Sequence, residues 1–251
     1  MTRIVNIGEA LIDEITRPNT APVEVVGGSM LNVAAGLTRL GHDCELATWF
    51  ADDARGAKVR EHAQNAGVTL TPGSDAAEFT TVAHASLDER GRATYEFDLS
   101  WDVPAVNDPD TVGHVHTGSY AVAVQPGGEK VLAAVKRQAI RGTVSYDPNI
   151  RPALLGTPDE ARPHVEAIVA LADVVKASDE DLEWLYPGRP VEDVIREWSQ
   201  SGPALIVCTR GPWGVYIKTE AERDMLVVDP LDVELVDTVG AGDSLMAGLI
   251  S

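Results

Sequence analysis

Short apolar runs alternate with amphipathic stretches along almost the whole chain. Residues 3–7 read as a buried strand. Residues 29–40 repeat apolar Met30, Val33, Leu37 and Leu40 at helical spacing, with Ser29 as the expected N-cap and Gly41 as the C-cap. A strand at 44–50 and a helix at 54–66, stopped by Gly67, come next. Further strands are expected near 112–116, 143–146, 174–176 and 204–208, with helices near 128–139 and 158–172. This alternation predicts an α/β fold: a mostly parallel sheet with helices on both faces. Sheets of that kind bind ligands beyond the carboxyl ends of their strands.

Two segments break the rhythm. Residues 14–26 follow the first strand without a helix signal, and residues 79–87 and 93–99 alternate around the polar turn Asp88-Glu-Arg-Gly-Arg92. Together, segments 14–26 and 79–101 predict a small sheet standing off the main one as a lid; the competing reading is an edge hairpin of the main sheet. The proline- and glycine-rich turns at 125–128 and 186–190 read as connections within one domain, residues 1–251.

Composition narrows the choice of partner. The chain has 251 residues, 39 acidic against 20 basic, and a net charge of −19. That balance argues against nucleic acid and against an anionic membrane surface. No apolar run approaches the ~20 residues of a membrane span, and residues 1–13 lack a signal-peptide core. Cys44 and Cys208 lie inside apolar runs without metal spacing, as expected of buried thiols in a reducing, cytoplasmic setting. His114 and His116 alternate on one strand without a third ligand and read as sheet residues.

The candidate chemistry concentrates in Asp237-Thr-Val-Gly-Ala-Gly-Asp243, which opens an apolar helix. The backbone amides of Gly240, Ala241 and Gly242 are placed to converge on an anion at a helix N-terminus. Asp243 then stands where it can take a proton from an attacking hydroxyl. Taken alone, the turn reads better as a glycine-rich turn whose Asp243 caps a helix. A second element, Gly27-Gly28-Ser29-Met-Leu-Asn32, sets paired glycines before a helix and an amide in its first turn. Asn32 can bond sugar hydroxyls, with Asp13 as a second acceptor nearby.

These motifs together resemble the ribokinase-like, PfkB-type carbohydrate kinases over essentially all 251 residues. The resemblance implies an α/β core, a β-sheet lid and an active site between them. It implies Asp243 as catalytic base, with Gly240, Ala241 and Gly242 as the anion hole and Asp13, Gly28 and Asn32 as holders of the sugar. Asp147-Pro-Asn-Ile-Arg151-Pro is similar to a segment of fructokinases and 2-keto-3-deoxygluconate kinases, in which Arg151 would bind a substrate oxygen or the transferring phosphoryl group. Tyr95, Phe97 and Gly118 complete the expected substrate set. The sugar-acid kinases carry an aromatic–arginine pair in the lid. Here residues 94–101 hold aromatics and acids but no arginine. A carboxylate substrate would meet Glu96 or Asp98 unpaired if they face inward, which favours a neutral ketose such as fructose. Ribose and the sugar acid remain the alternatives.

On the nucleotide side, Lys176-Ala-Ser178-Asp-Glu-Asp181 stands in place of the family's Asn-x-x-Glu element, with Ser178 and Asp181 as substitutes. A metal contact of Asp181 through water is one reading, and a capped acidic helix start is the other. Thr209, Gly211 and Gly214 resemble the family's turn beside the ATP phosphates, and Thr238 joins them. ATP and Mg²⁺ are the expected cofactors, with a monovalent cation such as K⁺ as a further candidate and a homodimer paired through the lid as the expected assembly. Family members continue some tens of residues past the position of Ser251, so the C-terminal end is expected to be missing from this sequence. A protein ending there in fact would read as a non-catalytic sugar- or nucleotide-binding protein. The first strand is followed by Gly8-Glu-Ala-Leu-Ile-Asp13, not a dinucleotide-binding turn, and no P-loop motif occurs.

Overall fold

The computed structural model describes residues 3–18, 20–87, 93–106, 112–231 and 238–251. Asp237 and the hairpin turn at 88–92 lie outside them. In chain order the elements are β1 (Arg3–Ile7), β2 (Leu11–Thr16), β3 (Val23–Gly27), α1 (Ser29–Arg39), β4 (Cys44–Ala47), α2 (Ala54–Asn65), β5 (Thr69–Leu70), β6 (Val82–Leu87), β7 (Ala93–Asp98), β8 (Val112–Gly118) and α3 (Gly127–Gln138). Then come β9 (Thr143–Asp147), α4 (Pro152–Leu155), α5 (Pro158–Val169), β10 (Val174–Ser178), α6 (Asp179–Leu185), α7 (Val191–Trp198), β11 (Leu205–Thr209), β12 (Val215–Thr219), β13 (Leu226–Val228) and α8 (Ala241–Ile250).

The large sheet runs β13-β12-β11-β10-β9-β8-β1-β4-β5. It is parallel from β5 through β11, and β12 and β13 add an antiparallel edge. Its central strands are apolar on both sides because both faces are covered. Val5 and Ile7 pack with Val131, Val135, Val165 and Ile168 on the side of α3 and α5, whereas Ile4 packs with Val33, Leu37, Met246 and Ala247 on the side of α1 and α8. The expected strand at 44–50 stops at Ala47. Cys44 and Cys208 are both buried and free. Among the described residues no helix is long and apolar enough to cross a membrane.

The two rhythm-breaking segments form a separate sheet, β3-β2-β6-β7, and not an edge of the large one. Its strands extend beyond the expected 14–26, from Leu11 to Gly27. Register places Asp13 beside Ala83 and Ala83 beside Phe97, so these three share one face. Glu14, His84 and Glu96 share the other. That second face carries an ion network in which Arg55 bonds Glu14 and Glu24, Lys58 bonds Glu24, and His84 bridges Glu14 and Asp98. Glu96 and Asp98 therefore point away from Asp13 and Phe97. The condition on which these acids would have met a substrate carboxylate is not met, because strand alternation puts even-numbered residues of β7 on the α2 side.

Candidate active site

The carboxyl ends of β1, β8, β9 and β10 and the N-termini of α1 and α8 meet at one place, and side chains from all of them converge there. Gly240 caps α8 in the left-handed region (φ 72°), where an L-residue is strained. The amide of Ala241 donates to the Thr238 carbonyl at 3.1 Å. Among the described residues, the amides of Gly240 and Gly242 have no protein acceptor. Two of the three amides expected to face an anion thus have no acceptor among the described residues, at the positive end of a ten-residue helix.

Asp243 sits in the first turn of α8. Its Oδ1 accepts from Ser29 Oγ at 2.7 Å and its Oδ2 from Asn32 Nδ2 at 2.8 Å. Ser29 and Asn32 lie three residues apart on α1 and so share a face. Ser29 is not the N-cap of α1. Gly28 holds that position with φ 118°, and a side chain there would strike the Glu9 carbonyl, so only glycine fits. The Ser29 hydroxyl is released from capping to hold Asp243. The Asn32 amide, expected on the sugar, is likewise directed at Asp243.

Glu9, just past β1, is buried. Its Oε1 accepts from the Ser29 amide at 3.3 Å, and its Oε2 has no protein partner among the described residues. Burial pushes this carboxyl up to about 7, against the opposing charge of Arg151. Burial also raises Asp13, again opposed by Arg151. Arg151 folds back on its own loop, donating to Asn149 Oδ1 at 2.8 Å and to the Asn149 and Ile150 carbonyls. Gly118 ends β8 against the Asp147 carbonyl, leaving no room for a side chain. Tyr95 is exposed on the Phe97 face of the small sheet, and Phe97 packs at the edge of the main core.

Asp147, the last residue of β9, and Lys176, in the middle of the adjacent β10, form a buried ion pair, Nζ to Oδ2 at 2.8 Å, with side chains 1% and 6% exposed. Beyond them, Ser178 and Asp181 make a reciprocal capping box on α6, and Asp181 Oδ1 accepts from the Ile150 amide at 2.7 Å. Both Asp181 oxygens thus serve backbone amides and tie the loop carrying Arg151 to α6. The described residues contain no group of three or more carboxylate, imidazole or thiol side chains placed to hold a metal ion. The donor set does not fit a protein-built Mg²⁺ cage. Thr209 ends β11 with its hydroxyl on the Ala177 carbonyl, and Gly211 and Gly214 turn the chain back into β12. Glu9 and Lys176 were not among the expected site residues, and Ser29 was expected only as a helix cap. Lys176 had a legible signal, since a charge inside the apolar run Val174-Val-Lys-Ala needs a buried partner.

The fold and the carboxylate seated at the start of α8 suit a phosphotransferase with an alcohol acceptor. A model of the pfkB family of carbohydrate kinases matches residues 1–251. A fructokinase of Rhizobium leguminosarum bv. trifolii is 32% identical over 97% of the chain and 77% of its own length. One of Klebsiella pneumoniae is 31% identical over 98% of the chain and 82% of its own length. Among solved structures, a double mutant of the Vibrio cholerae O395 fructokinase with fructose, ADP and potassium ion bound superposes with a TM-score of 0.81 at 25% identity, covering 100% of this chain and 83% of that one. The chain belongs to the pfkB family of carbohydrate kinases and is a sugar kinase.

Proposed function

We propose that this sugar kinase moves the γ-phosphoryl group of ATP to a hydroxyl of fructose. The observation that carries the reading is Asp243, held by Ser29 and Asn32 in the first turn of a helix where, among the described residues, the amides of Gly240 and Gly242 have no acceptor. Phosphoryl transfer asks for positioning and charge neutralisation more than covalent chemistry, and this arrangement supplies both. Asp243 accepts the hydroxyl proton as the sugar oxygen bonds to the γ-phosphorus. The bond from that phosphorus to the bridging oxygen breaks, and ADP leaves with the electron pair. The amides of Gly240 and Gly242 face the charge on the transferring group. Asp13 and Arg151 bind the sugar, and the turn at Thr209, Gly211 and Gly214 lies toward the nucleotide.

The small sheet acts as a lid. The shared face of Asp13 and Phe97, continued by the half-exposed Val25 and Tyr95, supports closure over the sugar and exclusion of competing water. Fructose rests on the fructokinase relatives and on the fructose in the Vibrio structure. A 2-keto sugar acid is the second reading, favoured by one observation: no acid of β7 faces Asp13 to repel it, while the Arg151 charge acts there. The reading is tested with Asp243→Asn. Transfer should fall by about 10³-fold or more, with sugar binding retained by calorimetry. Near-normal turnover in that variant would exclude the mechanism. Initial rates on fructose against the sugar acid decide between the two substrates.

A further inference from the structure

Lys176 lies where no simple packing argument wants it. Its strand neighbours Val174, Val175 and Ala177 are apolar, and its side chain is 6% exposed. A buried ion pair is weak support for stability, because desolvation offsets most of the attraction. The ammonium reaches the underside of α8. A Cβ built on Gly242 would stand 3.1 Å from Lys176 Nζ. Gly242 has an ordinary helical backbone, so helix propensity alone would favour alanine there. The missing side chain makes the room the ammonium occupies.

The surroundings give the charge something to do. Three carboxylates, Asp147, Asp181 and Asp243, act on Lys176. Burial alone would lower its pKa, and those three charges together reverse this and keep it protonated. Among the described residues Asp147 is the single acceptor for this ammonium, which leaves two of its three N–H groups unspent. In a chain of net charge −19, a polyphosphate approaching α8 would otherwise meet a cluster of acids.

We propose that Lys176 is a positioning residue for phosphoryl transfer: anchored by Asp147 beneath the first turn of α8, its ammonium offsets the surrounding carboxylates and holds Gly242 and Asp243 where the transferring group arrives. The inference rests on the kinase mechanism proposed above and adds a charge that the turn motif does not contain.

The test compares Lys176→Met, Asp147→Asn and the double variant, each by melting temperature and by separate kcat and KM values. The double variant removes both charges at once and so avoids stranding one buried ion. If Lys176 positions the turn, the double variant folds, keeps its sugar KM within about 3-fold, and loses about 100-fold in kcat. Asp147→Asn, which keeps the ammonium, loses less than about 10-fold. A folded double variant with kcat within about 3-fold of the parent would show that the pair is structural and overturn the proposal. Should the double variant not fold, Lys176→Met decides, and a folded Lys176→Met with kcat within about 3-fold of the parent overturns the proposal. A parent protein that phosphorylates no sugar would instead remove the function on which the inference rests.

Discussion

Ser29 carries two readings that differ in one hydrogen bond. A serine just before an apolar helical repeat is a good cap by local rules. The folded chain uses Gly28 as the cap, because its backbone passes the Glu9 carbonyl too closely for any side chain. The Ser29 hydroxyl then meets a carboxylate 214 positions further along the chain. Replacing Ser29 by alanine should therefore lower kcat by about 10-fold through a loosened Asp243. Sugar KM should stay within about 3-fold. Steady-state kinetics make the comparison, and a variant with parental kcat would return Ser29 to an ordinary helix start. The same competition between local and distant partners is visible at Asp181. Its capping role was legible from Ser178-Asp-Glu-Asp181 alone, whereas its bond to the Ile150 amide depends on a loop 31 residues away.

At the scale of elements, α1 and α8 form the platform that keeps Asp243 in place. Their contact is close because small residues face each other: a Cβ on Gly36 would approach Ala247 Cβ to 2.8 Å. Gly36 touches neither the candidate sugar nor the candidate nucleotide site. Gly36→Val should nevertheless push α8 from α1, stretch both bonds to Asp243, and cost at least about 10-fold in kcat. Unchanged turnover, measured with the helix content confirmed by circular dichroism, would mean that α8 is positioned by other contacts. The existence of α1 was plain from its period, and so were α2, α3, α5 and the central parallel strands. The 44–50 strand ended early because residues 48–50 leave the sheet: Thr48 and Phe50 spend their amides on Ser74, which anchors a loop.

For the molecule as a whole, three buried groups and the half-buried His114 make stability depend on pH in opposing directions. Burial pushes Glu9 from 4.5 up to about 7 and Asp147 from 3.8 up to about 6. Both bind more protons folded than unfolded, so their contribution is full below the unfolded values and is lost as pH rises through about 6 to 7. His114 and His116, which share Ser145 as a partner, are pushed by burial from 6.5 down to about 4 and about 3. Their contribution is present above 6.5 and is lost as pH falls toward those values. Between about pH 4 and 7 the pairs offset each other. Glu9→Gln removes one carboxyl arm. Its stability relative to the parent should rise between pH 5 and pH 8, by about 3 kcal/mol at most, read from urea midpoints at the two pH values. A difference that does not change with pH would mean that Glu9 is not buried as described.

The hydrophobic pattern by itself determined the α/β class, the parallel core and most helix positions, because periodicity reports which faces of a segment are covered. The turn around Gly240, Gly242 and Asp243 was legible for a similar reason: glycine before a helix start is dictated by backbone geometry within a few residues. Only the tertiary structure decided what those residues touch. It turned Asn32 and Ser29 onto Asp243, drew Lys176 under Gly242, and left Glu9 buried beside Ser29. It also turned Glu96 and Asp98 of the small sheet away from Asp13. Each of these depends on charges or dipoles brought together from strands and helices distant in the chain. Strand register and helix docking set such distances, and neither is written in the spacing of any single motif.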